Sequence, residues 1–313
     1  MTAAVGRRQR TRGRGIRGQA LWFWVFVGPF AAGLLVFGYV PIGWSVLLSF
    51  FRAQNTVSPD HFVGFGNYAD MLRDDGFTGS LLTFTVFAVF IVPLTFAIAL
   101  GLALLVNQVT VARAFFRSAF FLPAACSYVV AATIWKMSIF PGVHFGLANT
   151  VLGWFGAEPV AWVQSVHPPW YWVVLVTLRL WLQVGFYMIL FLAALQRISP
   201  ELYEAAYTDG AAPGWQTFRY ITLPQLRATS LAVLILLLIN AYQAFDEFYN
   251  VLSSSRGYPT YARPPLIDLY YTALGQGQDF GHGSAGALIL TVLIAVVTIG
   301  QGRILGFGRD ERA

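Results

Sequence analysis

Six apolar runs, near 21–50, 79–106, 114–138, 170–195, 228–250 and 284–305, dominate this 313-residue chain. Each is long enough to cross a bilayer as a helix, which takes about 20 residues. In lipid a backbone must satisfy its own hydrogen bonds, so runs of this length predict an all-α integral membrane protein with six transmembrane helices. Composition agrees: 57% of residues are hydrophobic and 11% charged, where a soluble domain carries about 25% charged residues. The first run is longer than a crossing needs and holds Pro29 and Pro41, so a kink is expected there. Its length, and the lack of a small-residue cleavage site at its end, argue against a cleaved signal peptide.

The net charge of +6 does not read as nucleic-acid binding, because the basic residues sit between the apolar runs. Arg7, Arg8, Arg10, Arg12, Arg14 and Arg17 precede the first run. On the same side of an alternating path lie Arg113, Arg117, Arg197, Arg219, Arg227, Arg303, Arg309 and Arg312. The opposite loops carry only Arg52, Arg73, Arg256 and Arg263. The positive-inside rule then places both termini in the cytoplasm. The expected organisation is an Arg-rich cytoplasmic tail 1–20, a six-helix domain 21–305 with a cytoplasmic loop 196–227, and a cytoplasmic tail 306–313.

The external loops 51–78, 139–169 and 251–283 are rich in Gly, Pro and aromatic residues, and 62–72 and 144–155 are expected to form short interfacial helices. His61, His144, His167 and His282 fall in or beside these loops without metal-ligand spacing, so they read as solvated loop residues. The single cysteine, Cys126, lies in an apolar run and reads as a small buried residue, with no disulfide possible within the chain.

Loop 196–227 is the most informative stretch. Ser199 suits an N-cap, Pro200 the first helical position, and Glu201 and Glu204 the positive end of a helix dipole. Gly210 can take positive φ and end that helix. Pro213 is expected to start a second helix that Pro224 limits. Acidic Glu201, Glu204 and Asp209 suit a protein partner better than an anionic lipid surface.

The run Glu204-Ala205-Ala206, Asp209-Gly210-Ala211, Trp215, Phe218 and Ile221-Thr222-Leu223-Pro224 resembles the EAA loop of binding-protein-dependent ABC importer permeases, most closely those for sugars of the maltose and glycerol-phosphate type. Further landmarks follow in the family's order: Val63-Gly64-Phe65-Gly66-Asn67-Tyr68, Phe121-Leu122-Pro123, Phe145-Gly146-Leu147-Ala148-Asn149, Phe191-Leu192-Ala193-Ala194-Leu195-Gln196, Gln243-Ala244-Phe245-Asp246 and Gly283-Ser284-Ala285-Gly286-Ala287. The chain departs from the pattern at Ala212-Pro213-Gly214, which holds one extra residue before Trp215 and predicts a reshaped turn.

The resemblance implies a type I ABC importer permease fold in a bacterial inner membrane, with Glu201, Glu204, Ala205, Ala206, Asp209, Gly210 and Ala211 contacting an ATPase subunit. It implies a second permease, two nucleotide-binding subunits, an extracytoplasmic solute-binding protein and a sugar substrate. No cofactor or catalytic residue is expected in this chain, ATP and magnesium belonging to the partner subunits. The residues agree independently: the only lysine, Lys136, lies between Trp135 and Met137, so the chain has no P-loop.

Polar residues inside the runs mark the expected pathway. Arg179, Gln183 and Tyr187 recur every four residues and share a helical face. Asn240, Gln243, Asp246, Glu247 and Asn250 gather toward the external end of the fifth run. Substrate contact is assigned to Gln183, Tyr187, Asn240 and Gln243. Arg179 and Asp246 are expected to line the path or to pair with each other. Tyr187, Tyr242, Phe245 and Tyr249 are candidate aromatic faces for a sugar. The small residues 283–287 read as a helix-packing surface. Rival readings are an ion-gradient-driven transporter, a membrane enzyme, or an ABC permease for a non-sugar solute. The first lacks internal repeats and central carboxylates, and the second lacks a catalytic cluster.

Overall fold

A computed structural model describes residues 14–165, 167–252, 263–275 and 277–304. The arginines at 7, 8, 10, 12, 256, 309 and 312 lie outside these residues. Helices dominate, and five are long and apolar enough to cross a membrane: Leu21–Leu48, Asp75–Gln108, Tyr171–Leu195, Arg227–Leu252 and Phe280–Arg303. The third expected span is not one straight helix. It divides into Arg113–Ala125 and Tyr128–Ile139, bent by 96°. Counted as one broken crossing, it completes the six.

The bend has a local cause and a distant one. Pro123 closes a short 3₁₀ turn at Leu122–Ala125, and Cys126 then takes an extended backbone. Across from it, the fourth span brings Gly185 onto the Phe120 carbonyl so closely that a Cβ would overlap it. Only glycine lets the two backbones meet.

Three helices widen into π turns, at Leu35–Tyr39, Trp135–Ile139 and Phe218–Thr222. Each closes two residues before a proline, with i→i−5 bonds from Val40, Phe140 and Leu223 ahead of Pro41, Pro141 and Pro224. A proline ring crowds the carbonyl four residues back, and a widened turn relieves it. Pro29, by contrast, sits within the first span without breaking it.

The second and fourth spans share the largest interface among the described residues. Phe84, Phe87, Trp172 and Phe248 form an aromatic knot there, with ring centroids 5.0–6.4 Å apart. Asp74 caps the second span, its carboxylate accepting from the Phe77 amide at 2.8 Å. The sixth span uses its small residues for close approach. A Cβ on Gly283 would meet Ala273, and one on Gly286 would meet Leu269 and Met71. The first span packs least, no residue of its most apolar window being buried.

The loops at one end form a compact cover. Short strands Phe51–Arg52 and His61–Phe62 pair antiparallel, followed by helix Gly66–Arg73; a second loop helix spans Leu147–Trp154. Two buried asparagines hold this cover. Asn67 donates to the carbonyls of Ser49 and Phe51, each at 2.9 Å. Asn149 donates to those of Val143 and Val160 and accepts from the Trp162 indole at 2.8 Å. His282 is not simply solvated: Nδ1 lies 2.9 Å from Asp279 and Nε2 3.5 Å from Asp70. It clips the start of the sixth span to the first loop helix.

Candidate functional site

The four-residue spacing places Arg179, Gln183 and Tyr187 on one face of the fourth span, and all three are buried. That face meets the fifth span and the second half of the broken third, Tyr128–Ile139. The Gln183 amide donates to the Tyr128 hydroxyl at 2.9 Å. The Asn240 amide donates to the Tyr187 hydroxyl at 3.3 Å and to the Leu236 carbonyl at 3.1 Å. A cavity of about 220 Å³ opens between them, lined by Gln183, Tyr187, Asn240, Tyr128, Cys126 and Phe186. It offers amides, hydroxyls and aromatic faces, and no carboxylate lines it among the described residues.

Arg179 lies behind this cavity, 2% exposed. Its guanidinium donates to the Glu247 carboxylate and to the Asn240 backbone carbonyl. The guanidinium also sits 5.9 Å from the centre of the Phe87 ring. A buried charge needs such a partner, and breaking a buried pair typically costs about 3–5 kcal/mol. The expected partner, Asp246, is not the one. The fifth span stops at Tyr242, turns through Gln243–Phe245 and restarts at Asp246. The restart shifts the helical phase, turning Asp246 outward to an exposed position and Glu247 inward. The same break frees the Asn240 carbonyl, because Ala244 bonds to Ala241 instead, and Arg179 takes the vacancy.

Of the residues singled out in the sequence, Gln183, Tyr187 and Asn240 meet at the cavity. Gln243 and Asp246 are exposed and do not line it. Tyr242 turns to the second span, donating to Thr85 at 3.0 Å. Phe245 and Tyr249 stack at 5.4 Å and meet Tyr270 edge-on. Cys126 is exposed rather than buried, because the extended backbone at the bend turns it into the cavity. Tyr128, Phe186 and Cys126 were missed as lining residues. The signal was Pro123, which breaks the third span next to them.

Beside the loop helix Gly66–Arg73, Asp268 lies on helix Pro265–Leu274. Burial, then the Asp74 carboxylate, push its carboxyl above the usual range, opposed by Arg263.

Loop 196–227 is anchored through Thr217, Thr222 and Leu226, all buried, and presents helix Pro200–Thr208 mainly to the outside. Helix Pro200–Thr208 begins after Ser199, whose backbone is extended but whose hydroxyl makes no cap bond. Glu201, Glu204, Ala205, Asp209 and Gly210 are exposed, and Ala206 and Ala211 are half-buried. Gly210 has φ +88°, with the Ala211 amide reaching back to the Ala206 carbonyl at 2.8 Å. A second glycine with positive φ, Gly214 at +99°, follows in the same turn. The next helical run starts at Trp215, not Pro213, and continues through Pro224 to a break at Leu226. Pro224 follows directly on the π turn at Phe218–Thr222. The Tyr203 hydroxyl meets Thr222 Oγ1 at 2.9 Å and fixes the two arms. Leu202, Tyr207 and Trp215 remain exposed on this projection.

A polar cavity among broken helices, with an exposed helix projecting from the bundle, defines a membrane transport permease. The chain belongs to the family of binding-protein-dependent transport system inner membrane components, whose model matches residues 63–305. It is 32% identical over 279 residues to the arabinooligosaccharides transport system permease protein AraP of Halalkalibacterium halodurans, covering 89% of this chain and 85% of that one. It is 31% identical over 282 residues to the lactose transport system permease protein LacF of Rhizobium radiobacter, covering 89% and 92%. In fold it resembles a chain of a bacterial alginate ABC transporter in complex with a pentasaccharide-bound periplasmic protein, with TM-score 0.79, 21% identity, and coverage of 94% and 96%.

Proposed function

We propose that this chain is a permease subunit of an ATP-driven importer for di- or oligosaccharides in a bacterial inner membrane. The observation that carries this reading is the cavity at Gln183, Tyr187 and Asn240, where amides and hydroxyls stand beside aromatic rings. Sugars are recognised by that combination of directional hydrogen bonds and flat apolar faces. Relatives named for arabinooligosaccharides and lactose support the substrate class. At about 220 Å³ the cavity falls below the roughly 300–1,000 Å³ of a complete ligand site, which suits one wall of a path completed by a second permease.

Loop 196–227 docks in a groove of a nucleotide-binding subunit through Glu201, Glu204, Ala205, Ala206, Asp209, Gly210 and Ala211. Two such subunits bind ATP and magnesium, and a solute-binding protein delivers the sugar from outside. Both termini face the cytoplasm.

Reconstitution of the transporter from its neighbouring genes tests the reading. ATP hydrolysis and uptake should rise with one sugar and its binding protein. Uptake driven by an ion gradient without ATP would overturn it. Labelling of cysteines placed at 60 and 206 should reach 60 from outside and 206 from inside only, and the reverse pattern overturns the topology.

A further inference from the structure

The cavity at Gln183, Tyr187 and Asn240 is uncharged in its lining but not in its surroundings. No acidic or basic side chain lines it among the described residues. A cation nevertheless stands directly behind its wall. Arg179 lies four residues before Gln183, about 6 Å along the fourth span, and donates to the Asn240 backbone carbonyl. The Tyr187 and Tyr128 hydroxyls both lie within its field. In a low-dielectric surround, a lone guanidinium at this range would make the cavity attract anions. Glu247 prevents that. Its carboxylate accepts from the same guanidinium, and both side chains are 3% exposed. Opposite charges in contact leave only a short-range dipole at the cavity. Asp246 is exposed one residue earlier and its charge also reaches Tyr128, so the residual potential is negative rather than positive. Lys136 does not line the cavity and sits more than two turns beyond Tyr128 in the third span.

We infer that Glu247, acting through Arg179, sets the charge selectivity of this cavity, admitting uncharged saccharides and rejecting those that carry uronic acid carboxylates. The inference rests on the reading of the cavity as a saccharide site. An uncharged sugar exchanges water for the amides and hydroxyls of the wall at little cost. A uronate must shed a tightly held hydration shell and finds no available cation in return. The guanidinium behind the wall is already committed to Glu247 and closed from solvent. The pair thus lets an arginine hold the break in the fifth span without turning the path into an anion route.

Cys126, the single cysteine of the chain, is exposed in the cavity and can report its potential. The test treats the assembled transporter with two methanethiosulfonates, one carrying a sulfonate and one a trimethylammonium group. Mass spectrometry of this subunit reads the two rates at Cys126. Their ratio, sulfonate over ammonium, is divided by that of 2-mercaptoethanol, which cancels the intrinsic reactivity of the reagents. The unaltered protein should give a value at or below one. Glu247→Gln uncovers the Arg179 charge and should raise the value about tenfold. Glu247→Asp, which keeps the carboxylate, should stay near the parent. A value above one in the unaltered protein, a measurement that needs no variant to fold, would overturn the inference. An unchanged value in Glu247→Gln would overturn it too. Galactobiose should shield Cys126 from a neutral methanethiosulfonate better than digalacturonate does, and the opposite order would also count against the inference. If neither charged reagent reaches Cys126, the cavity is closed, and the saccharide reading of the site fails together with the inference.

Discussion

Gly185 on the fourth span rests directly on the carbonyl of Phe120 in the first half of the third. This contact lets the third span bend beside the polar cavity, because the helix can approach only where no side chain stands. Gly185→Ala should therefore fail even though alanine is the better helix former. The loss should reach or exceed the ~1–3 kcal/mol of an overpacked core. The melting temperature of the purified complex checks this, and an unchanged value would refute the close approach.

Arg179 and Glu247 should behave as one unit. Arg179→Gln and Glu247→Gln each leave a buried charge or amide poorly matched, and each should cost about 3–5 kcal/mol. The double variant should recover part of that loss, because neither charge is then stranded. Asp246→Gln should cost far less. A double-mutant cycle on thermal stability reads the coupling, and additive losses would dissolve the pair.

Gln183→Ala and Asn240→Ala should lower sugar uptake while leaving complex assembly intact. Gln243→Ala should change uptake less, since Gln243 does not line the cavity. Equal kinetics in the first two variants would remove them from the path.

Gly210→Val should insert normally yet bind the ATPase subunit weakly and lose coupled hydrolysis. A β-branched residue at φ +88° is strained by about 1–2 kcal/mol, enough to re-aim the turn but not to unfold the bundle. Glu204→Lys should act alike by reversing charge on the exposed helix. Pull-down of the ATPase subunit and substrate-stimulated hydrolysis decide it.

Asp268 should give a pH signature. Its carboxyl is raised in the folded state, so the native protein holds the proton more tightly than the unfolded chain. Stability from this group is present at low pH and is lost as pH rises above 3.8 through the folded value. Asp268→Asn should therefore be more stable than the parent at neutral pH and should flatten that part of the profile. A parent-like slope in a melting series would discard the assignment.

The crossings were legible because lipid imposes a composition, and 170–195 against Tyr171–Leu195 shows how closely. The bend in the third was not, since Leu122–Ser127 is mostly apolar and the contact that permits it comes from Gly185, some sixty residues on. Asp246 and Glu247 are equivalent in sequence, and only the turn at Gln243–Phe245 decides which points inward. Asn67 and Asn149 stood within the recognised landmarks, yet their service as hydrogen-bond hubs appears only when distant loop carbonyls converge on them. Gly210, by contrast, was readable from local backbone preference alone.

The first span is tied to its own chain at one end only. Ser49 bonds to the Tyr68 hydroxyl at 2.6 Å and receives the Asn67 amide on its carbonyl, while no residue from Leu21 to Leu47 is buried. Within this chain, then, the mutational tolerance of residues 21–39 is set by greasiness rather than shape. Leucine, valine and phenylalanine are interchangeable there in a way that they are not at Phe84 or Phe248, where each ring has a fitted neighbour. Such a segment can drift rapidly in sequence while keeping its hydropathy.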